Sequence, residues 1–245
     1  MQLYDWLTAI FPGIESLDRT LLAQVAGISR VVELTADTIF CRQGVTPDLV
    51  HWLLHGQVAL SQAGPQGDPA IIDIVEPIAG ITLASALLGQ TCPISAQTLT
   101  PSDIMAIEAA PLRALTATYP ALAGTFLRAA SVDIAAANRQ IVDLKVRKIA
   151  QRLGCYLLSL AEGTDADTVD IHLPFRKSLL AGKLGCGQES LSRALASLRE
   201  LGVETHGYKI TLHNVPLLRA FSAPDGPAPW KHPSAADAFS RAFDL

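Results

Sequence analysis

No two cysteines of this chain stand in C-x-x-C spacing. Cys41, Cys92, Cys155 and Cys186 are scattered, with no histidine cluster beside them. That excludes a zinc ribbon and a disulfide framework, and it reads all four as small buried hydrophobes in a reducing compartment. Long hydrophobic runs are also missing, so no segment reaches the roughly 20 apolar residues of a membrane span. The N-terminus MQLYDWLTAI has no basic residue ahead of its apolar stretch, which argues against a secretory leader and for a cytoplasmic protein. A Gly-rich phosphate loop, G-x-S-x-G and H-E-x-x-H are all absent, so nothing supports an enzyme. Positive charge is not in excess either. Charged residues make up only 17%, the formal net charge is −4 and the pI is near 5.8, which argues against a protein that coats nucleic acid without sequence choice.

The charge that is present falls unevenly. Residues 1–145 hold 7 Lys/Arg against 13 Asp/Glu, residues 146–221 hold 10 against 7, and residues 222–245 hold 2 against 3. The locally basic stretch contains the most informative segment, FRKSLLAGKLGCGQESLSRALASLRELGV at 175–203. Leu180 and Leu184 lie one turn apart, and Ala181 is small where a second helix crosses. Gly185 follows, where a helix ends and the chain turns with positive φ. Leu191, Ala194, Leu195 and Leu198 then recur at i, i+3, i+4, i+7, the buried stripe of a second helix. This is the pattern of a helix-turn-helix. The outward positions near the N-terminus of its second helix are Gln188, Glu189, Ser192 and Arg193, types suited to base edges: Arg for guanine, Glu for a cytosine amino group, Ser for either. Lys177, Lys183 and Lys209 are candidate phosphate contacts, which add affinity without sequence choice.

The rest of the chain reads as an α+β arrangement. Residues 3–28 look helical, with a break at Phe11-Pro12-Gly13. From about 31 to 110, short alternating runs between turn signals indicate a compact β-roll, with Gly44, Gly56 and Gly64–Gly67 at turns and a short helix at 81–89. Helix returns at 111 and runs long. Leu127, Ala130, Ile134, Ala137, Ile141 and Leu144 are spaced 3, 4, 3, 4, 3, a heptad seam that predicts a homodimer. A further helix covers 146–161, EGTDADT is a polar loop, VDIHLP is a short strand, and LGVETHGYKITLHN forms a strand–turn–strand wing. The expected domains are 1–110 (β-roll with an N-terminal helix), 111–145 (dimerisation helix), 146–221 (winged helix-turn-helix) and a Pro/Ala-rich tail at 222–245.

This order, together with QESLSRALASLRELGV, which matches an E-x-x-S-R motif on Glu189, Ser192 and Arg193, resembles the CRP/FNR superfamily of bacterial transcription regulators over about residues 15–220. The resemblance implies a cyclic-nucleotide-binding-like jelly roll, a twofold dimer, RNA polymerase as a partner, and a palindromic DNA site close to TTGAT-N4-ATCAA. Ser192, where the cyclic-AMP branch has glycine, and the approach LP-x-x-K-S-L-L-A-G place the chain nearest the FNR and nitric-oxide-responsive nitrate-respiration branches.

The effector region departs from the better-known members. Thr82 stands near the Glu of a cyclic-nucleotide pocket, and Cys92-Pro93 stand where its Arg-Ser pair would be. A buried phosphate there lacks a charge-assisted partner, and Pro93 has no backbone donor. Residues 1–40 contain no cysteine, which removes the iron–sulfur branch. Thr82, Leu83 and Cys92 are therefore candidates for a pocket whose effector is neither cyclic AMP nor an iron–sulfur cluster. Some relatives bind haem, and by that resemblance the axial ligands would be His51, His55 or Cys92. The local pattern instead reads His51 as a surface position on an alternating strand and His55 as a turn residue. A constitutive regulator with an empty, degenerate pocket is the alternative.

Overall fold

A computed structural model describes residues 3–11, 14, 18–64, 69–161 and 166–223. The expectations for Pro12, Gly13 and Gly67, for most of the EGTDADT loop, and for the tail beyond residue 223 lie outside the described residues. The chain divides into two compact units, with the boundary at Ala136/Ala137.

In the first unit, α1 (Leu3–Ile10) and α2 (Arg19–Gly27) precede eight strands: β1 (Ser29–Leu34), β2 (Ile39–Cys41), β3 (Leu49–His55), β4 (Val58–Ala63), β5 (Pro69–Val75), β6 (Ala79–Gly80), β7 (Ser95–Thr98) and β8 (Ser102–Glu108). Helix α3 (Leu83–Leu88) is inserted between β6 and β7. The strands form two four-stranded sheets, ordered β1-β8-β3-β6 and β2-β7-β4-β5. Gly44 and Gly56 turn the chain at φ +81° and +93°, the left-handed region that glycine enters without strain.

Strand β3 has a mixed role. Val50, Trp52 and Leu54 belong to a core built with α1, α2, α3, Leu112 and Phe126. Leu53 joins a second core with Cys41, Val58, Val75, Cys92, Ala96 and Ile104. Successive side chains of a strand point to opposite faces, so β3 is covered by helices on one face and by the second sheet on the other. Its burial is continuous rather than alternating.

The stretch from 111 is two helices rather than one. α4 (Ala109–Thr118) ends at Tyr119, which is extended at φ −118° and ψ 97°, and α5 runs Pro120–Val146. The cause is Pro120: a residue before proline is driven out of the helical region, while proline itself is suited to the first helical turn. Along α5, Leu127 (69% exposed), Ile134 (62%), Ile141 (50%) and Leu144 (43%) stay open to solvent. Ala137 is also exposed, while Ala130 packs on the first core.

In the second unit, α6 (Ile149–Leu160), α7 (Lys177–Lys183), α8 (Gln188–Leu198) and α9 (Val215–Ser222) accompany β9 (Val169–His172), β10 (Val203–His206) and β11 (Lys209–Leu212). The strands pair as β10-β11-β9. α6 is the buried centre, with Leu153, Cys155, Tyr156, Leu157 and Leu158 inside.

The aromatic group Phe11, Trp52 and Phe126 anchors the helical side of the β-roll. Ring centroids are 4.9 Å apart for Phe11–Trp52, 4.7 Å for Phe11–Phe126 and 6.2 Å for Trp52–Phe126. Truncating a buried Phe removes both transfer energy and packing. Phe126→Ala is expected to lower unfolding free energy by about 3–5 kcal/mol in urea denaturation. A loss below about 1 kcal/mol would show that this cluster does not hold the first unit together.

Candidate functional site

The helix-turn-helix forms where its pattern places it. α7 is capped at Leu184, and Gly185 turns at φ +62°. Gly187 is the N-cap of α8, which buries Leu191, Ala194, Leu195 and Leu198. Gly185 is required twice over: a Cβ there would also lie 2.8 Å from Leu144 Cδ2 at the end of α5. Leu144, expected in a dimer seam, thus also abuts the helix-turn-helix turn.

The buried stripe turns Gln188, Glu189, Ser192 and Arg193 outward, and all four are exposed. Arg193 Nη1 donates to Glu189 Oε1 at 2.9 Å, and the Ser192 hydroxyl donates to the Gln188 carbonyl at 3.0 Å. The Arg193 and Glu189 side chains are 69% and 83% exposed. Such a solvated pair contributes at most about 1 kcal/mol, less than a bidentate guanine contact supplies, so it orients the two groups without locking them.

The three lysines differ. Lys177 is exposed at the start of α7. Lys209 is exposed on the wing and ion-paired with Asp170 at 2.8 Å. Lys183 is buried at 7% exposure, a correction to its reading as a phosphate contact. It lies on the inward side of α7 beside Leu180 and Leu184, where the helix meets the core.

Arg152 is a residue that local pattern does not single out. It lies inside α6 at 6% exposure. Its Nε donates to the Leu184 carbonyl at 3.1 Å, and its Nη1 donates to the carbonyls of Arg147 at 2.9 Å and Leu144 at 3.4 Å. One guanidinium thereby supplies donors to the carbonyls that the ends of α5 and α7 leave without helical partners. Beside it Asp143 pairs with Arg147 at 3.2 Å. Burial raises the Asp143 carboxyl above its usual range, while Arg147 and Arg152 pull it back. The detectable signal is a lone arginine in the apolar run IAQRLGCYLL.

The wing forms as expected, with His206 opposite Lys209 across a two-residue turn. Glu204 lies between two histidines: His213 Nε2 at 3.1 Å and His206 Nε2 at 3.7 Å. The His213 hydrogen bond, followed by the charge of His206, holds the Glu204 carboxyl below its ordinary value.

In the β-roll, the expected pocket residues do not line one opening. Thr82, Leu83 and Cys92 are all buried, at 3%, 5% and 3% exposure. The Thr82 hydroxyl accepts from the His51 amide at 3.0 Å and donates to the Leu49 carbonyl at 3.0 Å. Leu83 packs in the helical core, and Cys92 packs in the inter-sheet core. The two cores lie on opposite faces of β3.

The haem-ligand candidates are also redistributed. His51 is buried at 8% exposure, a correction to its surface reading, because both faces of β3 are covered. Its Nδ1 lies 3.2 Å from Thr82 Oγ1, and its ring stands edge-on to Phe40 with centroids 5.2 Å apart. Cys92 Sγ lies against Cys41 Sγ at 3.1 Å, and His55 is exposed at the far end of β3. With two of the three engaged inside the core and the third outside it, these residues do not fit a porphyrin. Among the described residues no group of three or more His, Cys, Asp or Glu is arranged to hold a metal ion.

Comparison with known proteins matches this geometry. The Cyclic nucleotide-binding domain family matches residues 31–119, and the Crp-like helix-turn-helix domain family matches residues 151–221. A protein from Ruegeria pomeroyi, assigned as a cyclic nucleotide binding protein, is similar at 25% identity over 91% of this chain and 100% of its own, with a TM-score of 0.62. A CRP/FNR-family transcriptional regulator from Thermus thermophilus shares the fold at 22% identity, covering 80% of this chain and all (100%) of its own, with a TM-score of 0.65. The c-di-GMP responsive global regulator CLP of Xanthomonas campestris shares it at 16% identity, with 80% and 100% coverage and a TM-score of 0.66. Among curated proteins, none matches the chain by sequence. The chain thus carries an N-terminal cyclic-nucleotide-binding-type domain and a C-terminal Crp-like helix-turn-helix domain, the domain pair of a CRP/FNR-type DNA-binding transcription regulator. That family is one of regulators rather than enzymes. Among the described residues no helix is long and apolar enough to cross a membrane.

Burial lowers the His51 pKa from 6.5 to about 4, and the charge of Arg30 adds to the effect. The unfolded chain therefore binds a proton between pH 6.5 and 4 that the folded chain does not, so stability falls as pH drops through that window. The fall is on the order of 3 kcal/mol. His51→Asn is expected to flatten the pH dependence of urea unfolding across that window. An unchanged slope would show that His51 stays neutral in the unfolded chain or charges in the folded one.

Proposed function

We propose that this chain is a homodimeric, cytoplasmic regulator that reads a palindrome close to TTGAT-N4-ATCAA through the exposed end of α8 and acts on RNA polymerase. The observation that carries this reading is the placement of Gln188, Glu189, Ser192 and Arg193 together on the solvent side of a helix whose opposite side is fully buried. In the major groove, Arg193 would donate two hydrogen bonds to guanine O6 and N7, Glu189 would accept from a cytosine amino group, and Ser192 would contact a thymine. Lys177 and Lys209 would neutralise phosphates, with Lys209 exchanging Asp170 for DNA. The α5 seam supports the dimer: Leu127, Ile134, Ile141 and Leu144 are large apolar side chains left in water on one helix, and a second copy would cover them. Two copies related by a twofold axis would set two α8 helices one DNA turn apart.

The effector is neither cyclic AMP nor an iron–sulfur cluster in this reading. Support comes from Thr82, whose hydroxyl is already committed to β3, and from the Cys92-Pro93 pair, which offers no charged donor. The burial of Thr82, Leu83 and Cys92 favours a second reading, a constitutive regulator whose pocket is filled by its own side chains. Operator binding by the purified full chain that is equally tight with and without added cyclic AMP would fit both; tightening by cyclic AMP would refute the exclusion.

Arg193→Ala is expected to lose about 1–3 kcal/mol of discrimination between the palindrome and a site with its guanine replaced, measured by fluorescence anisotropy at fixed salt. Undiminished discrimination would remove Arg193 from base reading. Ile134→Glu is expected to convert a dimer to a monomer in sedimentation velocity. A wild-type chain that sediments as a monomer at micromolar concentration would defeat the dimer.

A further inference from the structure

The inter-sheet core holds a pair of thiols that DNA reading does not use. Cys41 and Cys92 are 51 residues apart in sequence, yet their sulfurs are 3.1 Å apart. They are 6% and 3% exposed. The backbone around them is already joined. Cys41 lies opposite Ala96 on the neighbouring strand. The Gly44 amide donates to the Cys92 carbonyl at 2.8 Å, and the Cys92 amide donates to the Val45 carbonyl at 2.9 Å. Segment 89–94, which follows α3, is therefore zipped to segment 42–45 before any sulfur chemistry occurs. A disulfide needs its sulfurs about 2.05 Å apart, about 1 Å closer than these stand. Burial, and then the contact with Cys92, pushes the Cys41 thiol up to about 12, so it is protonated at neutral pH and its oxidation is slow there, speeding up as pH rises and thiolate forms.

We propose that Cys41 and Cys92 form a thiol–disulfide site, oxidised by a small neutral peroxide to an intramolecular disulfide that ties segment 89–94 covalently to β2. In the first step the sulfur of one cysteine attacks a peroxide oxygen. The O–O bond breaks, the thiol proton leaves with the departing oxygen as water, and a sulfenic acid remains. In the second step the other thiol attacks the sulfenic sulfur, the S–S bond forms, and the hydroxyl departs with the second thiol proton as another water. Two electrons pass from the two sulfurs to one peroxide. The burial of both sulfurs selects for an oxidant of this size, because a bulky charged disulfide cannot reach either one without opening the core. The product fixes the stretch after α3, the same stretch that holds the proposed effector residue Cys92.

The test is peptide mapping of the full-length protein. It is treated with hydrogen peroxide, alkylated, and digested with trypsin without reduction. There is no lysine or arginine between Arg42 and Arg113, so Cys41 falls in fragment 31–42 and Cys92 in fragment 43–113. The expected result is one species joining these two fragments, about 2 Da lighter than the pair together because two hydrogens are lost, and separating on reduction. Cys186, half-buried in the helix-turn-helix turn, is the competing thiol; Cys186→Ser should leave the link intact, and Cys41→Ser should abolish it. Recovery of fragments 31–42 and 43–113 unlinked with both thiols still alkylatable, with sulfinic acid on either cysteine and no linked species, or with Cys41 joined to Cys186, would overturn the proposal. The wild-type map is decisive without the variants, so a variant that fails to fold leaves the result standing. Because the readout is a covalent link, it does not depend on DNA binding.

Discussion

The second unit depends on one buried guanidinium. Arg152 sits inside α6 and holds the carbonyl ends of α5 and α7 with three hydrogen bonds. A buried cation is costly unless its donors are met. Here they are met by helix-end carbonyls that would themselves be without partners. The arrangement fixes where α5 stops and where the helix-turn-helix begins, and it sets the contact between Leu144 and Gly185.

The first unit has its own constraint, the two-sided burial of β3. Helices cover Val50, Trp52 and Leu54, while the second sheet covers Leu53. This placement makes His51 an interior residue, draws the Thr82 hydroxyl into backbone bonding, and seats α3 in the helical core. A cyclic-nucleotide-binding-type domain is thus present as a fold, with Thr82, Leu83 and Cys92 packed inside it.

Legibility in the sequence varies with the kind of signal. The helix-turn-helix can be read because three local rules coincide in it: the 3.6-residue stripe, a small crossing residue at Ala181, and a positive-φ glycine at 185. The wing and the β-roll can be read from alternation and turn glycines. His51 is misplaced by a reading that takes β3 as alternating, since nothing local reports that a second layer covers the other face. The long helix reads as one piece because its seam is read from Leu127 onward, past Tyr119 and Pro120, where the proline alone marks the break. Lys183 is misplaced when its type, rather than its position beside Leu180 and Leu184, is allowed to decide. Arg152 and the Cys41–Cys92 contact are long-range facts, joining residues 32 and 51 apart, and no window of local pattern reaches that far.

The break at Tyr119 has a mechanical consequence. Arg113 Nη1 on α4 donates to the Ala86 carbonyl of α3 at 2.6 Å, so a displacement of α3 is handed directly to α4. α4 is not continuous with α5. Pro120 has no amide hydrogen with which to extend the helical ladder, and Tyr119 is extended. The backbone ladder is therefore interrupted between α4 and α5, and what joins α3 to α5 is side-chain packing: Leu83 and Ala86 share one core with Leu122 and Phe126.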